Sequence, residues 1–168
     1  HPHIDHYGLV RFAAPAIPCG TGRDARALMD RAGTIGFPPY ATPQDRGLGE
    51  LAARKTLSIG PFRITPFLVD HSAFDAYALL VEADGKRLFY SGDFRGHGRK
   101  SRLFDKLLAN PPKDLDVLLM EGTCITGGHR GCTSEAEVEA KLRHRLQREK
   151  GVLALAVFSG HALWYQTW

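Results

Sequence analysis

β-prone apolar runs and helical apolar stripes alternate along this chain, and the polar breaks between them mark its elements. The clearest local pattern joins Tyr77 to Ala83 and Lys86 to Tyr90. The Asp84-Gly85 pair between those runs suits a two-residue type I′ turn and predicts a hairpin. A strand is predicted near Phe62 to Val69, a short buried strand over Asp116 to Met120, and a last strand over Val152 to Phe158. Helices fill the gaps. Thr21 with Asp24 three residues on predicts an N-cap, Leu28, Met29 and Ala32 supply an apolar face, and Gly33 stops that helix. Gly33 to Gly49, with Pro38, Pro39 and Pro43, reads as a long loop. A second helix is predicted over Ser101 to Ala109, closed by Asn110 and Pro111-Pro112. Ser134 and Glu137 form a capping box for a third, whose stripe is Val138, Leu142 and Leu146 and whose end is Gly151. Strand–helix alternation of this kind predicts an α/β layered domain.

Composition narrows the class. The 168 residues are 43% hydrophobic and 24% charged, which suits one globular domain and excludes wholesale disorder. The 18 glycines and 10 prolines follow no repeat, which excludes a collagenous chain. The longest apolar run, Val152 to Phe158, is far short of a membrane span, so no membrane partner is expected. Cys19, Cys124 and Cys132 are an odd number without a C-x-x-C pair, which speaks against a disulfide framework and for a reducing, cytoplasmic setting. The chain begins at His1 without Met and is read as a piece of a longer protein.

The placement of polar residues carries the chemistry. His71, Asp93, Glu121 and His161 each fall just beyond the carboxyl end of a predicted strand, the edge where α/β sheets build their sites. His1-Pro2-His3-Ile4-Asp5-His6 adds three imidazoles and a carboxylate within six residues. Neutral imidazoles and carboxylates are the ligands that zinc and similar divalent ions prefer. The i, i+2 spacing lets His1 and His3 point the same way from an extended segment, while Asp5 and His6 lie past the bend. Four ligands at these positions strain around one ion, so two adjacent ions are the more natural reading. The alternative is a polar tail or a tag remnant, although tags are runs of His rather than this mixture.

His1-x-His3-x-Asp5-His6 resembles the metal-binding signature of the metallo-β-lactamase superfamily. Val69-Asp70-His71-Ser72 and Tyr90-Ser91-Gly92-Asp93-Phe94-Arg95 match its next histidine and its bridging aspartate in order. The resemblance implies an αβ/βα sandwich, incomplete at both ends. His1, His3 and His71 would hold one ion, Asp5 and His6 the second, and Asp93 both. The ions would be Zn, with Mn or Fe accepted by the same ligands. Met120-Glu121-Gly122-Thr123, with Thr133-Ser134-Glu135 soon after, is similar to the β-CASP branch, which includes RNase J-like ribonucleases. That implies a catalytic set of Asp5, Asp93 and Glu121, and hydrolysis of phosphodiesters in RNA or DNA by a metal-bound hydroxide. Residues 1–150 would be a partial metallo-β-lactamase domain, and 151–168 a last strand and tail that begin a truncated β-CASP domain. Ser159-Gly160-His161-Ala162 is a weaker match to a late histidine motif of the family.

Charge bears on the substrate. The net charge is +4, and Arg95, Arg99, Lys100 and Arg102 follow Asp93 with no acid before Asp105. A cationic rim beside a metal site suits a polyanionic backbone. The second basic stretch, Lys141 to Lys150, reads better as a solvated helix face with cations near its C-terminus. The rival functions are a small-molecule hydrolase on the same fold, cleaving a lactone, thioester or cyclic phosphodiester, and a non-catalytic metal-binding fragment.

Overall fold

The computed structural model describes residues 1–35, 49–123, 125 and 134–151, with the backbone alone at residues 11 and 32–35. Its order is α1 (Ile4–Tyr7), a 3-10 turn (Val10–Phe12), α2 (Arg23–Ile35), β1 (Leu57–Ile59), β2 (Phe62–Leu68), β3 (Tyr77–Ala83), β4 (Lys86–Tyr90), α3 (Arg102–Ala109), β5 (Val117–Leu119) and α4 (Glu135–Arg148). The five strands form one sheet in sequence order. β1 to β4 run antiparallel, and β5 joins β4 in parallel, with α3 lying in the crossover.

The hairpin forms at the predicted residues. Asp84 and Gly85 take φ of 50° and 71°, as a type I′ turn demands, and Ala83 pairs with Lys86 across it. Phe67, Val69, Ala76, Ala78, Leu80 and Phe89 make the buried core, and Phe94, Leu107 and Leu115 pack against it. Phe67 meets Phe89 edge to face at 5.5 Å, and Phe94 stacks on Phe104 of α3 at 5.8 Å. That second stack seats α3 next to the loop that follows β4.

Three local expectations are corrected. Gly33 does not stop α2, which runs on to Ile35. Thr21 does not cap it either, because α2 begins at Arg23 and Gly22 stands at the cap position, while the Thr21 backbone bridges to Glu50. The Asp75 carboxylate caps α2 instead, accepting the amides of Asp24 and Ala25 at 2.8 and 3.0 Å. Gly22 permits this approach, since a Cβ there would lie 2.4 Å from the Asp75 side chain. Finally, β5 was expected to be buried. Among the described residues it is the sheet edge, and Val117, Leu118 and Leu119 are all exposed.

α3 begins one residue later than predicted and ends at Asn110 as expected. Ser134 Oγ accepts the Glu137 amide at 3.2 Å, as the capping box requires, although Leu146 of the expected stripe is exposed. The predicted strand 152–158, His161, Cys124, Cys132 and most of the loop to Gly49 lie outside the described residues. No described helix is long and apolar enough to cross a membrane.

Phe67 sits at the centre of this core. Replacing it in Phe67→Ala should cost about 3–5 kcal/mol. A urea titration checks this, as a lower midpoint with an unchanged slope.

Candidate metal centre

Three segments meet at one end of the sheet. β2 ends at Leu68, and the Val69 amide bonds Ala76 O at 2.9 Å, closing a tight loop that carries Asp70 and His71. β4 ends at Tyr90, and the Ser91 amide bonds Leu119 O at 2.9 Å before the chain turns through Gly92 to Asp93. Gly92 has φ of 56°, and a Cβ there would lie 2.6 Å from Tyr77 O. Only glycine fits this turn without moving backbone. In the N-terminal segment His3 is extended and α1 begins after it, with the His6 amide on His3 O at 3.0 Å. The bend brings the His6 ring back to His1, with centroids 4.0 Å apart.

These segments place five side chains together. His71 Nε2 lies 3.2 Å from His3 Nδ1, and the His1 ring is 4.6 Å from His3 and 4.4 Å from His71. Asp93 Oδ2 is 3.0 Å from His6 Nε2, 3.7 Å from His1 Nε2 and 4.0 Å from His71 Nε2. Two groups have ligand atoms close enough to share a cation: His1, His3 and His71, and His1, His6 and Asp93. The donor set fits a divalent transition metal. One further observation agrees: the His1 side chain is only 4% exposed, and its Nε2 is buried without a hydrogen-bond partner. An imidazole nitrogen so placed is stabilised by a cation.

Asp5, expected on the second ion, belongs to neither group. Its side chain is 73% exposed, with its carboxylate 3.7 Å from His6 Nε2. Glu121 is also outside both groups; its carboxylate accepts the Phe94 amide at 2.7 Å, directly behind Asp93.

A buried network supports the centre, and nothing in the motif pointed to it. Asp70 is fully buried. Its carboxylate accepts the amides of Gly98 and Lys100 at 2.7 and 3.2 Å and lies 3.6 Å from Arg95 Nε. Arg95 donates to His71 O at 3.1 Å and to the buried Glu135 at 2.6 Å. Glu135 also accepts the Arg99 amide at 2.8 Å, while the Arg99 guanidinium pairs with Glu139. Lys100 Nζ donates to Ala73 O at 3.0 Å. The signal available in the sequence was a carboxylate wedged between buried Val69 and a ligand.

The basic stretch after Asp93 is therefore largely engaged in internal pairs rather than presented as a rim. On α4, Arg143 pairs with Glu139 and Arg145 with Glu149, as a solvated face would.

Burial, with His3 beside it, pushes the His71 imidazole down to about 4, against the pull of Asp93. His71 is thus neutral at physiological pH and offers a lone pair to a cation.

No family model and no curated protein matches this chain. Among solved structures it is similar to a protein of unknown function from Enterococcus faecalis, at 26% identity and a TM-score of 0.68. That likeness covers 88% of this chain, which spans only 37% of the length of the Enterococcus protein. Looser likenesses are to a metallo-beta-lactamase HARLDQ-motif mutant from Cronobacter sakazakii (15% identity, TM-score 0.49, covering 89% of this chain and 75% of that one). Another is to the Zn(2+)-bound PqqB of Methylobacterium extorquens (20% identity, TM-score 0.46, covering 79% and 46%). The fold is the mixed α/β fold expected, a five-stranded sheet with helices, and it is shared with the Enterococcus protein. Nothing in these likenesses is specific to the β-CASP branch.

Two outcomes follow from the geometry. Gly92→Ala should displace Asp93 and lower metal occupancy while leaving the far-UV spectrum native; elemental analysis of the purified variant checks it. The pH dependence has a definite sign. The folded His71 takes its proton near 4 and the unfolded one near 6.5, so the unfolded state binds more protons between those values. Stability of the metal-free protein should fall as pH drops from 6.5 towards 4, and His71→Gln should flatten that fall in a pH series of thermal melts.

Proposed function

We propose that this chain carries the metal centre of a dinuclear metal-dependent hydrolase of the metallo-β-lactamase type, acting on a small molecule such as a lactone, thioester or cyclic phosphodiester. The observation that carries the reading is the meeting of two donor groups that share His1, with His71 and Asp93 supplied from the carboxyl ends of β2 and β4. His1, His3 and His71 would hold one cation, and His6 and Asp93 the other. Asp93 lies between the two sets, which suits a shared ligand. Divalent cations at such a site supply Lewis-acid polarisation of the scissile group and acidify a coordinated water.

The protein's own groups set the conditions for that chemistry. His71 stays neutral through burial. Glu121 holds the Phe94 amide and so fixes the backbone next to Asp93. It acts as a positioning residue in this reading. Asp5 faces solvent beside His6.

The substrate class follows from charge. The RNA or DNA reading rested on the Glu121 segment, for which the structural likenesses add nothing specific, and on Arg95, Arg99, Lys100 and Arg102. Three of these four are held by Glu135, Glu139, Asp70 or Ala73 O, so they are not free to track a phosphodiester backbone. A small electrophile needs no such track. Domain limits of 1–150 and 151–168 belong to the same proposal.

Metal titration with a substrate panel tests it. The chelated protein should take up about two equivalents of Zn or Mn, as a two-metal site requires. It should then hydrolyse a lactone or thioester at a rate indifferent to salt. Asp93→Asn should lower that rate by roughly 100-fold or more and reduce bound metal. Uptake of one equivalent or none would leave a metal-binding fragment. RNA cleavage that weakens steeply between 50 and 200 mM salt, roughly in the manner of phosphate-tracking proteins, would restore the nuclease reading.

A further inference from the structure

A pocket of about 390 Å³ opens beside the metal centre. Its size lies in the range of small-molecule sites, roughly 300–1,000 Å³. The donor residues His1 and His6 line it together with Tyr7, Leu9, Val10 and Met29. No Lys, Arg, Asp or Glu lines it. Met29 forms a buried part of this wall from α2, and Val10 comes from the 3-10 turn after α1. The walls are thus held by elements whose own places are fixed. Asp75 caps α2, and the bend at His3 sets the start of the turn that follows.

The lining is mainly apolar, with polar atoms from His1, His6, Cys19 and Thr21. A ligand whose polar head meets His1 and His6 would extend its tail against Val10 and Met29. A charged or heavily hydrated tail would lose water there without gaining a partner. A short aliphatic chain would gain from burial.

We infer that this pocket is the specificity subsite of the centre and that it takes the aliphatic side chain of an uncharged acyl substrate. The inference rests on the hydrolase reading and narrows it to substrates with an apolar acyl portion. Val10 is the specificity-determining residue, because it is a half-buried aliphatic side chain of the lining, with room to be enlarged into the pocket.

Binding rather than turnover tests it. The probes are straight-chain alkyl hydroxamic acids from acetohydroxamate to octanohydroxamate, whose heads chelate divalent ions. Calorimetry on the Zn-loaded wild-type chain should show affinity rising roughly fourfold per methylene over the first several carbons, as apolar burial requires. Val10→Trp should flatten that rise by filling the pocket, and Ala13→Phe serves the same purpose should the first variant not fold. Acetohydroxamate bound by wild type with no gain on lengthening would overturn the subsite and leave the hydrolase reading standing. No zinc uptake and no acetohydroxamate binding would overturn both.

Discussion

A buried carboxylate governs this end of the molecule. Asp70 has no contact with water, and an uncompensated charge in that position would cost several kcal/mol, on the order expected for buried ions. It is compensated by two amides and a guanidinium, all from residues 95–100. Those partners can meet it only if the loop after β4 folds back against the loop after β2. The same fold-back brings Asp93 to His71. Positioning of the ligands is thus a by-product of satisfying a charge that is not itself a ligand. Glu135 extends the arrangement to α4 through Arg95 and the Arg99 amide, so a helix some forty residues away is tied to the same loop.

How much of this was legible in the sequence depends on how local each cause is. The hairpin at Asp84-Gly85 was legible because the turn geometry lies in two residues. The placing of His71 and Asp93 at strand ends was legible because apolar runs stop where they do. The end of α2 was not, since Gly33 is only a weak breaker and an intrinsic cost of about 1 kcal/mol is easily outweighed. Its cap was not legible either, because Asp75 lies fifty residues from the amides it holds. The exposure of β5 depends on which strands flank it, a property of topology rather than of Val117 to Leu119 themselves.

The basic stretch is the instructive misreading. Arg95, Arg99 and Lys100 lack acids nearby in sequence, and a cation without a local partner reads as a surface charge. Their partners come from Asp70 behind them and from Glu135 and Glu139 ahead. Charge runs describe solvent-facing potential only where the fold leaves the charges free. Once they are paired, the field over the centre is set by its histidines and by Asp93.

The loop of residues 69–76 has two responsibilities that pull on each other. Its early part carries His71 to the donor cluster, and its later part carries Asp75, at a left-handed φ of 50°, to the start of α2. Met29, a wall of the neighbouring pocket, rides on that helix. Donor residue and pocket wall therefore hang from one short span of backbone, as two arms of a single lever. A change that reshapes the wall by way of Asp75 also disturbs His71. The turn after α1 stands in the same position, because Val10 follows the donor His6 by four residues, so both sides of the pocket are tied to the donor cluster.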